Sequence, residues 1–433
     1  MTMLDVQTSP ARLLYGLAGT GARTLRDHVA THGPLPVPSR VTRKWQDAVL
    51  HDVETSGLTG RGGAAFPTSR KMEAARGSGP RPALLVNAME GEPASGKDQY
   101  LLAYSPHLVL DGAELVAMAV GADSVVVCLP AERRALIAGV QQALRERLSL
   151  PYKRPNCQVK ALPGHYISGE ESALISAVAG AAGVPQFRPD KSLGLRLGRQ
   201  PALVHNAETL AHAALIGRHG SHWFRQVGVP EAPGTCLVTI SGAVRHPGIL
   251  EVETGLALGD IIEAALPLPD VQAVLVGGYG GTWVARRNFS VPFGPQALTA
   301  VRAAMGAGVL LVLAHGGCGL LETETIARYL SGQSAGQCGP CLFGLPAIAE
   351  DLGLLVRGPC RPKDLERLRA RCGLVAGRGA CRHPDGAVRL VNSALSVFEA
   401  DVDHHMQYGP CSGCLLPPTA PVPSGLTGYV GPK

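Results

Sequence analysis

Short apolar segments alternate with longer helical segments between residues 82 and 163, and this alternation constrains the fold more than any other feature. The predicted elements are, in order, a strand at 82–88, a helix at 107–122, a strand at 124–130, a charged amphipathic helix ending near Leu148, and a strand at 157–163. Strands that alternate with helices of about 12 or more residues form parallel βαβ units. Residues 41–225 are therefore predicted to be an α/β domain around a parallel sheet.

The pattern changes twice after this domain, and 433 residues are too many for one ordinary core. Residues 226–300 combine strands such as Cys236–Ala243 with one short helix, which predicts a small α+β module. Residues 301–405 have a helical pattern and carry six of the eleven cysteines. Residues 1–40 are predicted to be an N-terminal extension, and residues 406–433 a Pro- and Gly-rich tail without regular structure.

Composition favours a globular cytoplasmic protein. Hydrophobic residues make up 45% and charged residues 17%, and the excess of 40 Lys and Arg over 34 Asp and Glu is spread along the chain, so nucleic acid is not expected as a partner. No run of roughly 18 uncharged apolar residues is present, so no membrane span is predicted, although peripheral association stays open. The first ten residues lack the pattern of a signal peptide. Cytoplasmic cysteines are reduced, which favours metal or redox chemistry for those that cluster.

A glycine-rich segment, Gly60 to Pro67, precedes a predicted helix. Glycines let backbone N–H groups approach an anion, the helix adds its positive end, and Arg61 is available to pair with a phosphate. A plain tight turn is the alternative, and this motif alone does not separate the two.

Three polar motifs follow predicted strands or precede helices. Asn87 to Pro93 follows the strand at 82–88, where ligands of open α/β sheets bind, although a polar loop is an equally simple explanation. In the segment Gly164 to Glu171, Ser168 and Glu171 form an S-x-x-E capping box, which leaves Tyr166 and Glu170 unexplained. The third motif, His205 to Thr209, has the residues of a helix start.

The helical region carries Cys338 and Cys341 as a CxxC pair, with Cys381 some 40 residues later. Thiolates at such spacings bind zinc or iron–sulfur clusters, and buried cysteines without a metal are the alternative. A second pair, Cys411 and Cys414, lies in the tail and has the spacing of half a metal site. A lone pair of this kind is more often unpartnered.

The five motifs in this order resemble those of the NADH-oxidising flavoprotein subunit of respiratory complex I and of related NAD-reducing hydrogenases and formate dehydrogenases. The family order is GRGGAGFP, a following Lys, NADEGEP, YICGEETAL, VNNVETL and SCGxCxPC with a later Cys, and the resemblance covers residues 41–405. It implies a Rossmann-like FMN domain, a β-grasp module of the soluble-ligand-binding type, and a helical bundle that holds a [4Fe–4S] cluster.

The resemblance also implies site residues. The flavin positions are Gly60, Arg61, Gly62, Gly63, Lys71, Asn87, Glu90, Tyr166, Gly169, Glu170, Glu171 and Asn206. Phe66 and Glu92 match positions near the nicotinamide nucleotide, and Glu171 would serve both ligands, so Glu92 and Glu171 are the expected catalytic residues. The expected metal ligands are Cys338, Cys341 and Cys381.

The activity implied is oxidation of NAD(P)H, or its reverse, with single electrons passed through the cluster to a ferredoxin-like carrier or another redox protein of the same complex. Between Arg357 and Arg382 there are eight Lys or Arg and two acids. Such a stretch is an ordinary solvated helix face or a docking surface for a small acidic carrier.

The chain departs from the family pattern at four places. Met89 replaces the Asp of NADEGEP, and His205 replaces one Asn of VNNVET. The segment RPDKSL stands where the family has KPPFPA, so the stacking Phe is absent, while Lys191 would suit NADPH or another anion. Ala335 replaces the first cysteine of SCGxCxPC.

These departures leave alternatives open. Cys318, Cys372, or Cys411 and Cys414 are candidates for the missing thiol. A three-cysteine cluster with an open iron, a cluster with one unusual ligand, and no cluster at all are the three alternatives. A non-catalytic scaffold of a redox complex is the first alternative function. A ligand-binding module centred on residues 226–300 is the second.

Overall fold

The computed structural model describes residues 11–17, 21–77, 79, 81–188, 194–358 and 360–423; Lys191 lies outside them. The helices in these residues are α1 (Leu25–His32), α2 (Arg43–Ser56), α3 (Thr68–Gly77), α4 (Lys97–Tyr104), α5 (Pro106–Val120), α6 (Arg134–Glu146), α7 (Glu171–Val178), α8 (Ala207–Phe224), α9 (Leu258–Glu263), α10 (Gly319–Gly332), α11 (Leu345–Arg357), α12 (Pro362–Val375), α13 (His383–Val397) and α14 (Glu399–Tyr408). The strands are β1 (Ala83–Asn87), β2 (Ser124–Pro130), β3 (Asn156–Leu162), β4 (Arg196–Leu197), β5 (Gln200–Asn206), β6 (Gly228–Val229), β7 (Ala232–Pro233), β8 (Thr235–Gly242), β9 (Gly248–Glu253), β10 (Val271–Val276), β11 (Thr282–Ala285) and β12 (Val309–Ala314).

The first sheet has the strand order β3-β2-β1-β5-β4, and the strands from β3 to β5 are parallel. Successive side chains of a strand point to opposite faces. Leu84 and Val86 therefore pack with α5 and α8 on one face, while Leu85 packs with Leu174 of α7 on the other. The predicted α/β domain with a parallel sheet is confirmed.

Helix α5 contains acidic residues that interrupt its apolar sequence, and each of them is paired. Arg147 donates to Asp111 at 2.6 Å and to Glu114 at 2.7 Å, and Arg218 forms a further ion pair with Asp111. Burial alone would raise the pKa of Asp111, but the hydrogen bond with His28 at 2.7 Å and then the two arginines hold it well below its usual range. The acids are thus part of the packed interior of the domain.

The second sheet has the order β11-β10-β12-β8-β9, with β8 and β12 parallel and the other pairs antiparallel. Helix α9 packs on it through Leu258, Ile261 and Ile262. Strand β12 belongs to this sheet, so strand pairing continues past residue 300, where a helical region was expected to begin. A short apolar run such as VLLVLA does not distinguish strand from helix by periodicity.

Helices α10 to α14 pack with one another and against side chains of β10, β11 and β12, including Leu275, Trp283 and Leu311, in one apolar cluster. Helix α14 continues through Met406 to Tyr408, and a short helical turn follows at Ser412–Leu415, so the segment after residue 406 has more regular structure than expected. Within the described residues, no helix is long and apolar enough to cross a membrane.

Candidate functional site

The site lies at the carboxyl ends of β1 and β5, whose last residues, Asn87 and Asn206, are register partners. The chain leaves β1 toward β2 on one side, whereas β5 lies on the other side. Such a change of direction opens a crevice at the strand ends, and ligands of open α/β sheets bind there. Asn206 is also the N-cap of α8, with its Oδ1 accepting from Thr209 N at 3.3 Å, as its motif predicted.

The glycine-rich turn covers this crevice. Gly60 N–H donates to the Phe66 carbonyl at 2.9 Å, and α3 begins one residue after Pro67. Gly63 has a φ of 109°, a conformation that favours glycine. A Cβ on Gly62 would lie 3.9 Å from the Asn206 side chain, so the turn sits directly over the end of β5.

Arg61 points away from solvent and joins two parts of the chain. Its backbone N–H donates to Thr209 Oγ1 at 2.9 Å, and its guanidinium donates to the carbonyls of Pro233 and Thr235 at 3.3 and 3.1 Å. These contacts fasten the glycine turn to the second sheet. A phosphate contact by Arg61 stays a prediction, and so do all the residue roles implied by the resemblance.

Lys71 of α3 supplies the positive charge on this edge. Its Nζ forms an ion pair with Glu171, and both side chains are partly exposed. The neighbouring His205 is buried, and burial together with Lys71 lowers the pKa of its imidazole to about 3. The imidazole is therefore neutral, and Lys71 is the cation that an anion entering the crevice would meet.

Asn87 joins β1 to the loop before α7. Its Nδ2 donates to the Gly169 carbonyl at 2.8 Å, and its Oδ1 accepts from Met89 N at 3.4 Å. The Met89 side chain is only 1% exposed and packs with Leu85 and Leu174. The replacement of the family carboxylate by a thioether therefore fits an apolar setting.

The contacts of Glu170 and Ser168 differ from those of the predicted capping box. Helix α7 begins at Glu171, and Glu170 caps it by accepting from Ala173 N at 2.9 Å. Ser168 Oγ instead accepts from His165 N at 3.0 Å within the turn Tyr166–Gly169. The capping-box prediction was wrong because this turn delays the start of the helix.

Glu92 connects the first sheet to the second. Its carboxylate accepts from Tyr166 Oη at 3.2 Å, from Tyr279 N at 2.8 Å and from Ala94 N at 3.3 Å. Desolvation raises the pKa of Glu92 to about 7, although these hydrogen bonds oppose the shift. Phe66, the other residue expected near the nucleotide, is 46% exposed.

Glu90 caps α4 from a distance. Its carboxylate accepts from the N–H groups of Asp98 and Gln99 at 3.1 and 2.8 Å and from Ser95 Oγ at 2.7 Å. These N–H groups belong to the first turn of α4, where carboxylates stabilise a helix. The Glu90 backbone has a φ of 27°, which is unfavourable for a residue with a side chain, so the capping bonds hold a strained loop.

The capping role gives a testable prediction. Glu90→Ala is expected to lower the free energy of unfolding by about 1–2 kcal/mol, because two N–H groups of α4 lose their acceptor. Urea unfolding of the variant beside Glu90→Gln, which keeps one acceptor oxygen, measures this. Unchanged stability with a loss of flavin affinity would contradict the capping role and favour a direct flavin contact.

A buried ionic group next to the crevice was missed by the sequence analysis. Lys97 Nζ pairs with Asp98 Oδ1 at 3.0 Å and with Glu208 Oε2 at 2.8 Å, and Asn206 Nδ2 donates to Asp98 at 3.0 Å. Lys97 also lines a small cavity together with Gly60, Gly63 and Gly306. Charged residues in a helix usually lie on a solvent-exposed face. The sequence around Lys97 and Asp98 therefore gave no sign that these side chains are buried.

Cys338, Cys341 and Cys381 lie near enough to one another to influence each other electrostatically, and their role as metal ligands stays a prediction. The Cys341 backbone N–H donates to the Cys338 carbonyl at 3.0 Å, and burial, followed by the neighbouring Cys338 and Cys381 thiols, raises the pKa of Cys341 well above its ordinary value. Ala335 is buried in the same loop and offers no ligand. Three thiols are therefore gathered here.

The proposed replacement ligands lie elsewhere. Cys318, Cys411 and Cys414 surround His405, and Cys372 is buried in α12, where Asp351 is its charged neighbour. All eleven cysteines of the chain are free thiols.

The segment 333–344, which carries Cys338 and Cys341 and is called the cysteine loop below, adjoins the strand-end crevice. Tyr166 N donates to Gln333 Oε1 at 3.3 Å, and the Tyr166 ring lies 5.4 Å from the His383 ring. Glu170 contributes to the electrostatic environment of Cys381. The loop Tyr166–Glu170 thus contacts the crevice on one side and, on the other, Gln333 and His383, which lie close in sequence to the cysteines.

Two family models match the chain on both sides of this contact. The Nuo51 FMN-binding domain matches residues 53–214, and the NADH-ubiquinone oxidoreductase-F iron–sulfur binding region matches residues 322–405. The NADH-quinone oxidoreductase F 2 protein of Rhizobium meliloti (strain 1021) is 30% identical over 408 residues, which cover 91% of this chain and 94% of that protein. The chain belongs to the NADH-quinone oxidoreductase F family.

Other members and a solved structure agree with this assignment. The NADH-quinone oxidoreductase F protein of Rickettsia bellii (strain OSU 85-389) is 28% identical over 390 residues, covering 84% of this chain and 91% of that protein. The crystal structure of an NAD+-reducing [NiFe]-hydrogenase in the H2-reduced state superposes with a TM-score of 0.78 at 30% identity, covering 87% of this chain and 67% of that one. The resemblance to the complex I flavoprotein family, and to its hydrogenase relatives, is confirmed.

The residues of this chain fit the cofactors of its family. The FMN-binding match includes the glycine turn, Lys71, Asn87 and Asn206, which supply backbone donors, a cation and amides at one crevice. The iron–sulfur match includes Cys338, Cys341 and Cys381, whose thiols are soft ligands for iron. The match also includes Ala335, so this chain brings three of the four family thiols.

Proposed function

We propose that this NADH-quinone oxidoreductase F homologue binds FMN and an iron–sulfur cluster, oxidises NAD(P)H and passes the electrons singly to a protein partner. The observation that carries the proposal is the loop Tyr166–Glu170, which contacts both the strand-end crevice and the cysteine loop. FMN, when bound, would take a hydride from the nicotinamide and give electrons one at a time to the cluster.

Different residues of the chain would bind different parts of the cofactors. The glycine turn and Lys71 would bind the phosphate, and Asn87 with Asn206 would offer amides to the ribityl chain. The Glu92 carboxyl would hold Tyr166 through its hydroxyl and would itself carry a proton up to about pH 7. Glu171, paired with Lys71, would lie beside both ligands, and Cys338, Cys341 and Cys381 would hold the cluster.

The finer architecture is part of the proposal. Strands β8 to β12 with α9 would form the β-grasp module, followed by the helical iron–sulfur bundle of α10 to α14. A cytoplasmic location is supported by eleven free thiols.

An anaerobic visible spectrum, recorded before and after NADH and then NADPH, tests the proposed function. Flavin peaks that bleach with one nucleotide would support it and identify the donor, and residual broad absorption would report the cluster. A colourless protein that does not take up added FMN would instead support the scaffold alternative, which Ala335 favours.

A small acidic electron carrier is the partner that the helical region fits. Among the eight basic residues between Arg357 and Arg382, Arg357 pairs with Glu324 and Arg367 with Asp351, yet their side chains remain 53% and 39% exposed. In the same helical region, Phe343 is 75% exposed and lies two residues after Cys341. Exposed basic side chains and an exposed aromatic side chain in the region that carries the cysteines would suit a ferredoxin-like protein.

Salt dependence tests this partner. Raising the ionic strength from about 0.01 M to 0.15 M shortens the Debye length from about 30 Å to 8 Å and is expected to slow reduction of an acidic ferredoxin at least severalfold. A ferredoxin with neutralised surface acids is the matched control, because it keeps the same redox centre without the charge. Equal salt dependence for both carriers would contradict electrostatic docking on this face.

A further inference from the structure

Four side chains outside the proposed cofactor sites gather their ligand atoms within 4.8 Å of one another: Cys318, His405, Cys411 and Cys414. The Cys318 Sγ lies 3.7 Å from His405 Nε2, and the Cys414 Sγ lies 3.8 Å from both His405 Nε2 and Cys411 Sγ. Cys318 and His405 are buried at 3% and 1% exposure. This set is called the Cys3His cluster below.

The spacing of the Cys3His cluster is that of ligands around one small ion. Tetrahedral zinc with bonds of about 2.3 Å to sulfur and about 2.0–2.1 Å to nitrogen places neighbouring ligand atoms about 3.6–3.8 Å apart. The measured distances of 3.7 and 3.8 Å agree with this. In a [4Fe–4S] cluster each thiolate binds a different iron, which requires wider spacing than four atoms within 4.8 Å.

The histidine is oriented for a metal. His405 Nδ1 lies 3.1 Å from the Leu355 carbonyl, so it carries the proton and donates it there. Nε2 is then the acceptor nitrogen and lies among the three thiols, where it accepts from the Cys411 backbone N–H at 3.3 Å, a bond that metal binding would replace. A ligating histidine ordinarily has such a partner on its other nitrogen, because the partner fixes the tautomer and the ring.

The backbone around the thiols is already folded for binding. Cys318 is the N-cap residue of α10, and Cys411 precedes the turn Ser412–Leu415. A Cβ on Gly413 would come within 2.8 Å of Cys318 N, so only glycine allows this turn to approach α10 so closely. Further along, Glu322 of α10 accepts from Thr419 Oγ1 at 2.8 Å.

A disulfide does not explain the arrangement. The Cys411 and Cys414 sulfurs are 3.8 Å apart, compared with about 2.05 Å in a bonded pair, and a Cys411–Cys414 bond would leave Cys318 and His405 without a role. The cluster is also distinct from the family iron–sulfur site, because Cys318, Cys411 and Cys414 lie outside the matched residues 322–405.

We propose that Cys318, His405, Cys411 and Cys414 bind one tetrahedral zinc ion that fastens residues 411–420 to α10. Four protein ligands leave no open coordination position, which is the arrangement of structural rather than catalytic zinc. Three thiols lose their protons on binding, so the loaded centre carries one net negative charge. The site is separate from electron transfer and independent of the proposed function.

Metal analysis of the full-length protein tests the zinc site. Wild-type protein is first equilibrated under reducing conditions at a free zinc concentration that a chelator buffers. Inductively coupled plasma mass spectrometry is then expected to find one zinc ion per chain. Cys414→Ser is expected to lower zinc occupancy at least about tenfold at the same free zinc, because one of the four ligands is lost. Cys360→Ser, which alters a buried thiol of the same helical region, is the matched control and should keep the zinc.

Iron and sulfide, measured in the same samples, separate this proposal from the proposed function. Cys338→Ala is expected to lose iron and keep zinc, whereas Cys414→Ser is expected to lose zinc and keep iron. Zinc retained by Cys414→Ser, or zinc-free wild type after equilibration, would overturn the zinc site. Loss of iron and sulfide in Cys414→Ser would overturn it in favour of a cluster.

A measurement on wild-type protein removes dependence on variants that fold poorly. Zinc is stripped with a chelator and replaced by Co2+, and thiolate-to-cobalt absorption with the strong visible bands of tetrahedral cobalt is expected. Trypsin does not probe the segment 411–420, which contains no Arg or Lys, so chymotrypsin is used, which can cut after Leu415; Leu416 precedes a proline and is resistant. Metal removal should accelerate cleavage there, and unchanged cleavage together with absent cobalt bands would overturn the proposal.

Discussion

Replacing Cys338 with alanine is expected to abolish the broad visible absorption of an iron–sulfur centre and reduce ferredoxin reduction to the background rate. The flavin peaks and their bleaching by NAD(P)H should persist. The reason is the number of thiols. A cluster ordinarily has four ligands, whereas this region has the three thiols of Cys338, Cys341 and Cys381, and Ala335 cannot replace a lost one. Removing one thiolate from three leaves too few to hold iron.

The measurement combines anaerobic visible spectra, iron and sulfide content, and stopped-flow reduction of ferredoxin. Cys372→Ala is the matched control, since this thiol is buried in the same helical region beside Asp351 and away from the gathered three. Ala335→Cys is the complementary change, because it restores the fourth family thiol and should slow loss of the cluster in air. Broad absorption that persists in Cys338→Ala would show that the cluster is held by other residues.

The sequence predicts three of the five strands of the first sheet well because their signals are local, whereas β4 and β5 were not predicted. Strands β1, β2 and β3 are short apolar runs between longer helices, and their predicted ends lie within a residue of the observed ones. The N-cap at Asn206 is equally local, since capping depends on residues only three positions apart. The gathering of Cys338 and Cys341 follows from their spacing alone.

The remaining features depend on contacts between distant parts of the chain. Arg61 donates to carbonyls more than 170 residues later, and Cys318 meets Cys414 only after α10 to α14 have packed. Neither the glycine turn nor the tail CxxC carries information about such a partner. Glu90 shows the same limit, because a carboxylate that accepts from α4 N–H groups eight and nine residues later matches no local capping pattern.

Glu92→Ala is expected to slow reduction of the bound flavin by NADH about 100-fold while leaving flavin content unchanged. The Glu92 carboxylate holds Tyr166 Oη at 3.2 Å and Tyr279 N at 2.8 Å, so it fixes the crevice against the second sheet. Its removal would let these groups move, and a displacement of about 1 Å in a positioning group is enough for an effect of this size. The residues that would hold the flavin phosphate and ribityl chain are untouched.

Glu92→Gln is the matched variant, because its amide oxygen still accepts from Tyr279 N while its charge is gone. Desolvation raises the pKa of Glu92 from its ordinary 4.5 to about 7, so between these values the folded chain binds a proton that the unfolded chain releases. The wild-type free energy of unfolding should therefore fall as pH rises from about 4.5 to 7, and Glu92→Gln should lack this contribution.

The two variants together identify what Glu92 does. Fast reduction in Glu92→Gln with slow reduction in Glu92→Ala would mean that the hydrogen bonds to Tyr166 and Tyr279 matter rather than the charge. Slow reduction in both would mean that the ionised carboxylate itself faces the nucleotide. Loss of flavin from Glu92→Ala in proportion to its loss of activity would contradict the division of roles, because Glu92 would then belong to the flavin site rather than to the nucleotide side of the crevice.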